Sequence, residues 1–197
     1  MVTKWINLGR IMILGARVYV HWSVVVIVSL LAFMSFKSPI HVAVSIASYV
    51  GVILLHELGH ALMARHLGYD VDAIRVAFFH GLCVHEAPHT ELHDVLISWA
   101  GVMAQLAVAL PILTVAAVFD GHDFGYAAPA VVFLGYLSSL VALVNLAPSP
   151  GLDGYTAWRA VPLLARWWTA RRATKRALRN LTKRSGPSRP SSSRRRR

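Results

Sequence analysis

Long apolar runs separated by short polar breaks set the plan of this chain. Val20–Phe36, His41–Ala64, Val95–Phe119 and Tyr126–Leu146 match the roughly 17–25 residues that cross a hydrocarbon core as a helix. They predict about four transmembrane helices. Lys37-Ser38-Pro39 separates the first two, Asp120-Gly121-His122-Asp123 makes a tight polar turn between the last two, and Pro111 predicts a kink in the third. Between the second and third runs the chain turns polar, and the alternation in Val71–Val76 predicts a strand, hairpinned with Leu82-Cys83-Val84. That hairpin is either a plain connection or an edge that adds a substrate strand. Ahead of the first run, Lys4, Arg10 and Arg17 precede no clear cleavage site, so a retained span is expected rather than a signal peptide. His21-Trp22 at its start reads as an interfacial anchor. After the fourth run, Trp158–Trp168 mixes Arg159 and Arg166 with Leu163, Leu164, Trp167 and Trp168, the pattern of a helix lying along a membrane interface. The expected fold is an all-α polytopic membrane protein with about four transmembrane helices. A short membrane-associated β hairpin lies between the second and third, and an interfacial helix lies near the C-terminus.

Composition agrees. Apolar residues make up 56% and charged residues 15% of the chain, with a mean hydropathy of +0.53, against about 45–50% and about 25% in soluble domains. The net charge of +11 is localised: no acidic residue follows Asp153, while Arg and Lys crowd 159–197. The charge therefore belongs to an appendage. Two regions are expected, an integral-membrane domain over 1–168 and a basic, largely disordered cytosolic tail over 169–197. The tail suits anionic lipid headgroups; it has no aromatic interleaving or fold for nucleic acid, and none is expected as a partner. Lys and Arg gather at the N-terminus, at Arg65 and Arg75 and at the C-terminus, so the positive-inside rule makes this a multi-pass protein of the cell membrane with both termini cytosolic.

The chemistry centres on His56-Glu57-Leu58-Gly59-His60. Four-residue spacing on a helix puts both imidazoles on one face, where they can hold one Zn²⁺, with Glu57 beside it as a base. The alternative, a solvated polar face, has no water-facing side here, because apolar residues flank the motif and a charge at membrane depth costs about 2.5–3.5 kcal/mol. The single cysteine, Cys83, excludes a thiolate-rich site, so the ligands are nitrogen and oxygen. Asn145 through Tyr155 is dense in helix breakers, and broken backbone at membrane depth lines a cavity or is buried in protein. Asp153 there is the expected third ligand, completing a site for one zinc per chain. His80, His85, His89 and His93 could suggest a second metal, but Pro88 interrupts any helix that would align them, and a polar loop is the favoured reading. Cys83, with no general-base partner indicated, reads as a packing residue.

With both motifs in view, the chain resembles the site-2 protease family of intramembrane zinc metalloproteases. The likeness rests on His56–His60 with Ala61 and Ala64-Arg65 following, and on Asn145–Gly154 ending in Leu152-Asp153-Gly154, and covers roughly residues 10–160. It implies that His56, His60 and Asp153 hold zinc and Glu57 is the catalytic base. Asn145 would bind substrate or stabilise the oxyanion, and the substrate would be another protein's transmembrane helix. Where the family's third span usually reads Gly-Pro-x-x-Asn, this chain has Gly101-Val102-Met103-Ala104-Gln105, which makes Gln105 an altered substrate or oxyanion contact. His80-Gly81 stands where Gly-Gly is usual. With no space for a PDZ insertion and no CBS pair following, the resemblance is to a minimal form. Two other readings fit part of the pattern: a non-catalytic protein of the same fold that binds client helices, and a zinc transporter.

Overall fold

The computed structural model describes residues 5–35, 38–78, 80–119 and 123–184. The chain divides into two compact units after Arg159. Lys37, most of the turn at 120–123 and the tail from Ser185, for which breaks or disorder are expected, lie outside the described residues.

In the first unit, β1 (Trp5–Ile13) and β2 (Ala16–His21) form a hairpin. Its two-residue turn, Leu14-Gly15, has positive φ at both positions, the geometry that matches strand twist. An apolar helix α1 (Trp22–Met34) follows, and then α2 (Pro39–His66). Next come β3 (Val71–Val76), β4 (Gly81–His85) and the long helix α3 (Glu91–Val118). A fourth helical segment, α4 (Gly125–Asn145), is π-helical over Val131–Leu137. After a loop comes the short α5 (Asp153–Ala157). The second unit is α6 (Ala160–Arg184), in which Arg171 and Arg172 lie over the rings of Trp167 and Trp168. This helix continues past residue 168, the point from which composition suggests a largely disordered tail.

The four strands form one sheet in the order β1-β2-β3-β4. The β3–β4 hairpin falls where the alternation places it, with Ile74 opposite Cys83. The added feature is the N-terminal segment. β2 pairs parallel with β3, from Arg17↔Ala73 to Val20↔Val76. Val20 and His21 thus belong to a strand, and the helix expected from Val20 starts only at Trp22, capped by the His21 ring accepting from the Ser23 N–H. At 13 residues and about 1.5 Å per residue, α1 falls short of a roughly 30 Å hydrocarbon core. Among the described residues, three helices are long and apolar enough to cross: Pro39–His66, Glu91–Val118 and Gly125–Asn145.

These helices invert the pattern of a soluble bundle. Leu110, Val115, Val118, Leu140 and Leu143 are exposed, whereas Ser45, Ser48, His56, Glu57, His60 and Gln105 are buried. Outward apolar faces suit lipid, and the polar groups are enclosed by protein. Local signals fix the ends. Ser38 caps α2, which has Pro39 in its first turn and Arg65 and His66 in its last; Thr90 caps α3, with Glu91 and Asp94 in its first turn. The sheet packs against the lower half of α2, with Ile74, Val76, Ala61, Ala64 and Ile53 in one core. α2 and α3 meet through glycine: a Cβ on Gly59 would overlap the Ala100 carbonyl and lie 2.8 Å from the Gly101 Cα. This close approach sets the distance from the α2 histidines to α3.

Candidate metal centre

His56 and His60 leave α2 one turn apart and point into the angle between α2, α3 and α5. Their Nε2 atoms are 3.0 Å apart. Asp153, the first residue of α5, brings Oδ2 to 2.8 Å from His56 Nε2 and Oδ1 to 3.3 Å from His60 Nε2. Among the described residues, these three form the one cluster of potential ligands within 4.8 Å of one another. Residues nearly a hundred positions apart are thus brought together, as expected from the motif and the helix-breaking segment.

The far side of each ring shows what the near side can hold. His60 Nδ1 lies 2.7 Å from the Ile97 carbonyl oxygen, which can only accept, so the proton of a neutral ring is on Nδ1. His56 Nδ1 lies 3.1 Å from Gln105 Oε1. Both Nε2 lone pairs then face Asp153 with no proton between them, an arrangement that suits a cation and no hydrogen-bonded triad. Asp153 turns both of its carboxylate oxygens to the same point. Two nitrogens and a carboxylate, with a fourth direction open to a cavity, fit zinc.

That cavity, about 420 Å³, is lined by Glu57, Gly81, Cys83, Asn145 and Asp153 among others. Glu57 is 2% exposed and accepts from the backbone N–H of Cys83 on β4. A Cβ on Gly81 would overlap its carboxylate, so β4 passes the base only because residue 81 has no side chain. Asn145, at the end of α4, points Nδ2 at His56 Nε2 from 3.4 Å, within reach of the point where the ligands converge. Gln105 also borders this cavity. It is fully buried, and its oxygen faces the ligand His56. Burial and then the neighbouring Glu57 push the Cys83 thiol up to about 12, which leaves it a neutral packing group.

Several supports have no sequence signature. Trp99 donates to the Ala157 carbonyl at 3.0 Å and Trp158 to the Leu146 carbonyl at 2.7 Å, fastening α5 to α3 and to the preceding loop. A Cβ on Gly154 would overlap the Leu146 and Ala147 carbonyl oxygens, so the residue after Asp153 must be glycine for that loop to fold back. Tyr49 donates to the Phe78 carbonyl at 2.6 Å and ties the β3–β4 loop to α2. His89, in the loop before α3, and His93, in the first turn of that helix, both meet Tyr69, through a backbone N–H and a ring nitrogen at 2.8 Å.

No family model matches the chain. It is similar to zinc metalloprotease MJ0392 of Methanocaldococcus jannaschii, 28% identical over 109 residues, which are 55% of this chain and 31% of that protein. The chain thus spans about a third of that relative's length. It also matches the solved site-2 protease from Methanocaldococcus jannaschii with a TM-score of 0.62 and 25% identity, covering 80% of this chain and 71% of the other. Both likenesses support a site-2 protease family member. As in the likeness drawn from sequence, the family's motif residues fall around one centre, and the apolar helices make this a membrane protein. Of the two departures from the family's pattern, Gly81 keeps the glycine that lies against the base. Gln105 replaces an asparagine at a position that here contacts a ligand histidine.

Proposed function

We propose that this protein is an intramembrane zinc metalloprotease that hydrolyses peptide bonds within or near transmembrane helices of client membrane proteins. The observation that carries the proposal is the convergence of His56, His60 and Asp153, with Glu57 on the wall of the same cavity, inside helices of membrane-crossing length. Bound zinc would supply Lewis acidity, lowering the pKa of a coordinated water to about 7 and polarising the scissile carbonyl. Glu57 takes the proton of the attacking water and delivers it to the leaving nitrogen. Asn145 directs its amide N–H toward the developing oxyanion. The outer edge of β4 borders the cavity, so a substrate segment unwound from its helix can add to that edge and present an extended peptide bond.

The test is cleavage of tagged single-span substrates by purified protein in liposomes, with and without a zinc chelator. Substrates with helix-breaking residues near the cut site should be cleaved, uniform leucine spans should not, and chelation should abolish cleavage until zinc is restored. Zinc-dependent metal flux without cleavage of any substrate would favour a transporter and overturn the reading.

The basic helix is part of the same proposal. We place α6 on the cytosolic leaflet, where Lys and Arg at 166, 171, 172, 175, 176 and 179 face anionic headgroups and Leu163, Trp167 and Leu178 enter the interface. A spin label at Ala170→Cys, in a Cys83→Ser background, should report lipid depth in nanodiscs containing anionic lipid and a shallower, solvent-accessible position in zwitterionic ones. Equal depth in both would remove the electrostatic part of the argument.

A further inference from the structure

We infer that Gln105 is the positioning residue of the metal centre, fixing which nitrogen of His56 faces the ion; this rests on the zinc reading above. Gln105 is completely enclosed in α3 and meets α2 at two points one turn apart. Its Nε2 lies 3.3 Å from the Val52 carbonyl oxygen. A carbonyl oxygen only accepts, so the amide nitrogen must be on that side and Oε1 must face His56 Nδ1, 3.1 Å away. An amide oxygen likewise only accepts, so neutral His56 carries its proton on Nδ1 and turns the Nε2 lone pair toward Asp153 and His60. The order of hydrogen bonds therefore runs one way, from a helix carbonyl through Gln105 to the ligand nitrogen.

The two ligand histidines are held differently. His60 uses the backbone carbonyl of Ile97, which no substitution removes. His56 depends on a side chain, so the site has one replaceable lock. Position 105 is expected from the family resemblance to touch substrate. Here its oxygen is engaged by His56 and its nitrogen by Val52.

The experiment measures zinc affinity of full-length protein by competition with a chromophoric chelator, together with histidine side-chain ¹⁵N spectra of the zinc-free form. Gln105→Leu keeps bulk and removes the acceptor; zinc affinity should fall about 10–100-fold, the usual cost of losing such an outer partner. The spectra should show mixed tautomers for His56 while His60 keeps its proton on Nδ1. Gln105→Glu, whose neutral carboxyl keeps an acceptor facing Nδ1 and a hydroxyl donor facing the Val52 carbonyl, should hold affinity within a few-fold of wild type at pH values where it is protonated, and loss of affinity there with a native fold would also overturn the inference. Unchanged zinc affinity and an unchanged His56 tautomer in Gln105→Leu, with or without loss of cleavage, would overturn the inference; lost cleavage alone would return Gln105 to substrate contact. Failure of wild-type protein to bind zinc would sink the metal reading instead, and the two failures are thereby distinguished.

Discussion

Glu57→Gln should lose cleavage by about 10²–10⁴-fold, the usual contribution of a general base, while retaining a full complement of zinc. The substitution is close to isosteric. The new amide oxygen can still accept from the Cys83 N–H, and the Gly81 backbone still leaves room for the side chain. What is lost is a site for the proton. A carboxylate can take one from water and return it to an amine, whereas a carboxamide has no comparable basicity. Glu57 makes no contact that orients His56 or His60, whose far nitrogens are held by Gln105 and Ile97, so the metal should stay. Rate and bound zinc are measured on the same preparation. Cleavage near the wild-type rate would remove Glu57 from the chemistry, and loss of zinc along with activity would make its role structural.

Helix periodicity explains why part of this centre is legible in the sequence. His56, Glu57 and His60 lie within one turn of a single helix, so their relation follows from a spacing of four. Asp153 is farther away, but breakers concentrated from Asn145 to Gly154 mark interrupted backbone beside an apolar run. The N-terminal strands leave no such trace. β2 finds its place by parallel pairing with β3, more than fifty residues on, and that non-local contact shortens the first helix at its start. The position of Gln105 is also hidden. A spacing from Gly101 places it on α3 but cannot say whether its amide faces the cavity or the back of a histidine. The glycines are the most opaque, because a missing side chain matters only through its neighbours. Gly51 and Gly59 both lie in α2, yet a Cβ on the first would make ordinary contact with Leu134 at 3.4 Å, while one on the second would overlap the Ala100 carbonyl.

The same reasoning gives Gly101→Ala a large effect on metal binding. A Cβ there would lie 2.5 Å from His60 Nε2 and 2.9 Å from His56 Cε1, inside contact distance of both ligand rings. Neither ring can retreat freely. His60 is held from behind at 2.7 Å by the Ile97 carbonyl and His56 at 3.1 Å by Gln105, and the backbones cannot separate easily because Gly59 packs against Gly101. Forcing one methyl into a packed site costs roughly 1–3 kcal/mol. Taken from the ligand geometry, that is about a 5–150-fold loss of zinc affinity, with cleavage at limiting zinc falling in parallel. Gly51→Ala is the control in α2: its new methyl meets only a flexible leucine end, so zinc affinity should stay within about twofold, consistent with a tolerated packing change. Thermal unfolding of the zinc-free proteins separates damage to the site from damage to the fold. A Gly101→Ala protein with a normal apo transition and weakened zinc binding would place the strain in the ligand rings. Normal zinc affinity would mean that the rings have room to move, and the confinement of His56 and His60 by α3 would have to be abandoned.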